Sequence, residues 1–115
     1  MEPVEINAGS WYLRALRADD RISDVAALAD LDVADPADYV IAAERGWSDE
    51  SGFVWAVCEP TTGELVALIG VRRDPDRPDV GVLWGRARAG QDAALSAATG
   101  PVTRFAAGAL GLAIS

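Results

Sequence analysis

GVLWGRARAGQDAALSAATG, residues Gly81 to Gly100, is the stretch whose reading decides the fold of this chain. An apolar, strand-like run reaches Trp84, passes through Arg86, Arg88 and Gly90, and feeds an alanine-rich helical segment. A strand that enters a helix through glycine is the layout in which main-chain amides and a helix N-terminus hold a phosphate. Asp92 places a carboxylate inside that turn, where it opposes a second negative charge.

Working outward, Phe53 to Cys58 and Leu65 to Val71 are apolar runs joined by Glu59-Pro60-Thr61-Thr62-Gly63-Glu64. A proline and glycine turn between two such runs predicts an antiparallel hairpin. Asp74 to Pro78 makes the next turn, and Val80 to Trp84 the next strand. Upstream, Trp11 to Leu16 reads as a strand, and Asp19 and Asp20 suit the start of a helix carrying Ile22, Val25, Ala26, Leu28 and Ala29. A second helix is expected from Pro36 to Arg45, capped by Asp35, stopped by Gly46, with Tyr39, Val40, Ile41 and Ala43 inward. Gln91 to Leu110 is helical in pattern, with a break or kink expected at Gly100-Pro101. Strands flanked by helices in this order define an α/β (α+β) domain.

The 115 residues, half of them apolar, suffice for one core and are too few for two ordinary domains. A net charge of −8 repels phosphate backbones and anionic lipid, so neither nucleic acid nor a membrane surface is an expected partner. All ten basic residues are arginine, which excludes lysine Schiff-base chemistry, and the absence of histidine excludes Ser-His-Asp and Cys-His catalysis. The single cysteine, Cys58, lies in an apolar run and reads as a buried thiol in a reducing compartment. The acidic N-terminus MEPVEINAGS has no signal-peptide pattern, and no apolar run approaches a membrane span, so a soluble, cytoplasmic protein is expected.

Four segments resemble the GNAT superfamily of acetyl-CoA-dependent N-acetyltransferases, closest to the branch that includes ribosomal-protein alanine acetyltransferases. They are Tyr12 to Asp20, Trp55 through Gly70, Asp79 to Trp84, and Arg104-Phe105-Ala106 through Leu112. The resemblance implies a mostly antiparallel sheet flanked by helices, with the strand Asp79 to Trp84 splayed from its neighbour to line the pantetheine arm of acetyl-CoA. It implies an Arg/Gln-x-x-Gly-x-Gly/Ala loop for the pyrophosphate, which here reads Gly90-Gln91-Asp92-Ala93-Ala94-Leu95. The first position has become Gly90 and the central glycine Ala93; a shift of one residue puts Gln91 first and Ala94 at the glycine.

On this resemblance Leu83, Trp84, Gly85, Arg86, Arg88, Gly90, Gln91, Ala93, Ala94 and Leu95 are the cofactor-binding candidates, and Asp79 the candidate base. The implied reaction moves acetyl from acetyl-CoA to an amine, either a protein N-terminus or a small molecule, without a covalent intermediate; no metal is called for. Plainer readings stand beside these. Asp79 also fits a solvated turn, Trp55 and Trp84 fit a core, and Arg72 and Arg73 with Asp74 and Asp76 fit a self-neutralising loop. The family continues with further strands where this chain reaches Leu112 to Ser115, so residues 1–115 are expected to be one GNAT-like domain, C-terminally truncated. An open sheet edge invites pairing, which suggests a homodimer. The alternative function is a non-catalytic relative that acts through dimerisation or partner binding.

Overall fold

The central hairpin forms as its sequence requires. In the computed structural model, which describes residues 1–114, β3 (Gly52–Cys58) and β4 (Leu65–Arg73) pair antiparallel over nearly their full length. Both are buried on both faces, so they read as continuous apolar runs rather than as alternation. Around them the sheet has the order β1-β2-β3-β4-β5-β6, with β1 (Ile6–Ala8), β2 (Trp11–Arg14), β5 (Val80–Ala87) and β6 (Ala113–Ile114). Every neighbouring pair is antiparallel except β5 and β6. The helices are α1 (Val25–Asp30), α2 (Pro36–Asp49) and α3 (Asp92–Phe105), the last followed by a π-helical turn, Ala106–Leu110.

Two layers cover the sheet. On one face Ala94, Ala98 and Val102 of α3 pack on Phe53, Trp55, Val57, Ile69 and Val71. On the other, Ala27, Leu28, Val40 and Ala43 of α1 and α2 pack on Ala56, Cys58 and Leu68. Trp47, fully buried, closes the end of the sheet: its ring meets Phe53 and Trp55 edge-on with centroids 5.1 and 5.0 Å away. Its indole N–H donates to the Val54 carbonyl at 3.1 Å, a main-chain group beyond the reach of β2, whose last pair is Arg14 with Ala56. Trp55 is likewise core, its indole donating to the Val4 carbonyl at 2.8 Å.

Several expectations are corrected. Asp19 does not start a helix; it accepts the amides of Arg21 and Ile22 in a turn, and Asp24 is the N-cap position of α1. Gly46 does not end α2, which runs on to Asp49. Gly46 is there for space, because a Cβ would lie 2.6 Å from the Gly52 carbonyl oxygen. Ile41 is 51% exposed, and Trp47 holds the inner side instead. Pro101 does not interrupt α3: the bond that Pro101 cannot donate costs about 3 kcal/mol, and burial of Ala94, Ala98 and Val102 on the sheet offsets it. The hairpin β1–β2 went unread although Gly9-Ser10 supplies its two-residue loop, with Gly9 at φ 63°. Among the described residues no helix is long and apolar enough to cross a membrane.

One buried ion pair ties the layers together. Arg14 on β2 donates to both carboxylate oxygens of Asp24, at 2.9 and 2.8 Å, and to the carbonyls of Ala15 and Gly63. Asp24 also accepts the Arg17 amide at 2.7 Å. This fixes the start of α1 to the sheet and to the β3–β4 turn.

Candidate functional site

The candidate site is built along β5 and at its turn into α3. β6 pairs with β5 only at Val80 and Gly81, and from Val82 to Ala87 the main chain on that side has no strand partner among the described residues. Gly81 lets the two strands close: a Cβ there would lie 2.9 Å from Val71 Cγ1 and 3.1 Å from Ile114 Cδ1. Gly85 lets α3 sit on the same strand, since a Cβ would lie 2.5 Å from Leu95 Cδ1 and 3.2 Å from the Leu68 carbonyl oxygen. Both residues of β6 thus pair with β5 at its start, and β5 runs on from there to α3.

At the open end the chain turns sharply. The Gln91 amide donates to the Arg88 carbonyl at 2.9 Å and Gly90 has φ 78°, a left-handed conformation that glycine adopts without strain. Gln91 is the N-cap position of α3 but makes no side-chain cap bond, so the first turn keeps amides free for a ligand. Ala94 is committed to the core, its amide to the Gln91 carbonyl at 3.1 Å, and the Leu95 side chain packs on β5. Ala93 is exposed beside Asp92, which stands in the first turn.

Alternation along β5 sends the remaining candidates to opposite faces. Leu83 and Ala87 lie against the α3 layer, whereas Trp84 lies against the α1–α2 layer. The Trp84 indole rests on Gly70, where a Cβ would come within 2.6 Å of it. With Asp32, Val33, Ala34, Tyr39, Leu68 and Arg86, Trp84 lines a cavity of about 270 Å³ on this side of β5. Arg86 and Arg88 do not turn toward the α3 amides. Arg86 donates to the Leu31 carbonyl at 2.7 Å, and Arg88 pairs with Asp30 and Glu64. Burial pushes the Tyr39 phenol up in pKa, an effect that the Arg86 charge partly opposes.

Asp79 is exposed on the turn before β5, and its carbonyl accepts the Ala113 amide at 3.0 Å, so it stands at the start of the β5–β6 pairing. Asp32 is the carboxylate that lines the cavity; it adopts φ 61°, which asparagine and aspartate tolerate better than most residues, and no sequence signal pointed to it. The Arg72-Arg73 loop is occupied internally: Arg73 donates to the carbonyls of Glu50 and Pro78, and Arg77 pairs with Asp74. Cys58 is buried and its thiol is pushed up to about 11 by burial, which removes it from nucleophilic chemistry.

This architecture is the GNAT acetyltransferase fold. A protein from Vibrio cholerae assigned as a ribosomal-protein-serine acetyltransferase superposes with a TM-score of 0.76 at 15% identity, over 95% of this chain and 70% of its own. A protein from Sphaerobacter thermophilus DSM 20745 assigned as an acetyltransferase superposes with a TM-score of 0.65 at 18% identity, over 97% of this chain and 69% of its own. No family model matches the sequence. No curated protein matches it either.

Proposed function

We propose that this chain binds acetyl-CoA along the open edge of β5 and transfers its acetyl group to an amine, a protein N-terminus or a small molecule. The observation that carries this reading is the run of β5 through the glycine turn at Gly90 directly into the first turn of α3, which has no side-chain cap. The residues present fit such a cofactor at three points. The Val82 to Ala87 main chain offers unpaired amides and carbonyls, Gly90 leaves the loop free of a side chain, and the α3 terminus favours anionic oxygen. Leu83, Trp84, Gly85, Gly90, Gln91 and Ala93 would form this groove, with Ala94 and Leu95 holding α3 against it. Asp92 is the one residue there that opposes a pyrophosphate.

When bound, acetyl-CoA supplies a thioester carbonyl open to attack by a neutral amine. The cavity beside Trp84 is the place for that amine: it is walled by Trp84 and Tyr39, which suit an amphipathic acceptor, and lies on the opposite face of β5 from α3. Two carboxylates are candidates to take the ammonium proton, Asp32 on the cavity and Asp79 at the start of β5. Strand amides of β5 would polarise the carbonyl.

A second reading, a non-catalytic module acting through self-association or partner binding, is favoured by Asp92 and by the engagement of Arg86 and Arg88 with α1 and the hairpin. Calorimetric titration of acetyl-CoA into the folded chain separates the two. Saturable binding, with a thermal stabilisation of about 2.7 kcal/mol at a hundredfold excess over Kd, supports the first reading; a folded chain that binds nothing refutes it.

A further inference from the structure

Arg88, half-buried, is held by more partners than Arg86, the other arginine at this end of β5. Its Nη2 donates to Asp30 Oδ2 at 2.6 Å, and its Nη1 to Glu64 Oε1 at 2.5 Å and to the Leu65 carbonyl at 3.2 Å. The two acids come from different parts of the chain, the end of α1 and the turn before β4. Both are largely in solvent, at 61% and 57% exposure, while the Arg88 side chain is 25% exposed. The three charges line an open cavity of about 510 Å³ together with Val66, Ala89 and Gln91, at the entry to α3.

We propose that Asp30 and Glu64 form a clasp that competes with the cofactor's pyrophosphate for Arg88, so that cofactor binding requires Arg88 to exchange carboxylate for phosphate. The proposal rests on the acetyl-CoA reading above. Three features carry it. Arg88 is three residues from Gln91, and the turn bond between them holds the Arg88 main chain at the entry to α3. The shared cavity gives it room to move there. Solvent-exposed carboxylates hold a guanidinium weakly, whereas phosphate on the same fork makes short, bidentate, charge-assisted bonds. Released from the clasp, Arg88 would also offset Asp92, the charge that opposes a phosphate in this loop. Because Asp30 immediately precedes Leu31, which holds Arg86, and Asp32, which lines the amine cavity, the same exchange would slacken α1 beside the acceptor site.

The test is the Kd of coenzyme A, by calorimetry, for the wild-type chain, D30N, E64Q, the double variant D30N/E64Q, R88A and the triple variant R88A/D30N/E64Q. The clasp predicts tightening of about two- to fivefold for each single replacement and up to about tenfold for the pair. It further predicts that the gain disappears in the R88A background. An unchanged or weakened Kd in the double variant overturns the clasp, as does a gain that survives without Arg88, which would report only the loss of negative field. Wild-type binding with no gain overturns the clasp and leaves the cofactor reading standing; absence of binding in every folded variant overturns both. Thermal unfolding of each variant identifies any that fails to fold, and Asp30→Ala and Glu64→Ala then replace the amides.

Discussion

Replacing Asp24 with alanine should cost this fold 3 to 5 kcal/mol, and the reason is local. Arg14 and Asp24 are 4% and 2% exposed, and the guanidinium is held by both carboxylate oxygens and two carbonyls. Burial alone would favour a neutral guanidine, yet the pKa of Arg14 is raised, because the hydrogen bonds and charge of Asp24 oppose desolvation. Asp24→Ala leaves that charge buried without its counterion, a change worth about 3–5 kcal/mol in comparable pairs. It also removes the acceptor of the Arg17 amide, about 1 kcal/mol more. Against a total stability of about 5–15 kcal/mol for a domain of this size, the variant should be close to unfolding. Urea denaturation followed by tryptophan fluorescence measures it, since Trp47 and Trp55 lose their buried settings on unfolding. The double replacement Arg14→Met with Asp24→Leu, which removes both charges, should be less destabilised than Asp24→Ala. A loss below about 1 kcal/mol for Asp24→Ala, or a double variant worse than the single, would refute the reasoning.

Other outcomes follow from the same structure. Gly85→Ala should destabilise by about 1–3 kcal/mol, because its methyl would press on Leu95 and the Leu68 carbonyl; an unchanged urea midpoint would contradict the contact between α3 and β5. Cys58 has a folded pKa of about 11 against 9.0, so its protonated form stabilises the fold fully below about pH 9 and that contribution is lost as pH rises through 11. Cys58→Ala should flatten stability between those values, and alkylation of the wild-type thiol at pH 8 should proceed only through unfolding. The Asp19 carboxyl is held at about 2 by Arg17 and by the amides of Ile22 and Arg21, so any stability it confers is present above its ordinary value of 3.8 and is lost as pH falls through 2. A carbon-detected NMR titration of Asp19 with a midpoint near 4 would contradict that geometry.

Much of the fold was legible because its signals are local. The β3–β4 hairpin, the strand from Val80 and the helix after Gln91 follow from apolar runs and their turn residues. What failed was the reading of glycine and proline as punctuation. Gly46 serves a close approach to Gly52, and Pro101 is carried inside a helix whose inner face is held by the sheet, so tertiary contact overrode both local signals. For the site, the glycine turn at Gly90 follows from the local sequence, and alternation placed Trp84 and Leu83 on opposite faces. Arg86 and Arg88 went elsewhere because their partners, Leu31, Asp30 and Glu64, are distant in sequence and carry no pattern that points to them. Asp32 was invisible for the same reason: it reaches the cavity through the α1–α2 loop, not through a periodic element.

Amide chemical-shift mapping of the nitrogen-15-labelled chain during titration with acetyl-CoA tests the central claim most directly. The account predicts saturable shifts concentrated at Val82 to Ala87 and at Gly90 to Ala93, with smaller ones at Asp30 and Glu64 as Arg88 changes partners. Shifts confined elsewhere on the sheet, or none in a well-dispersed spectrum, would contradict it.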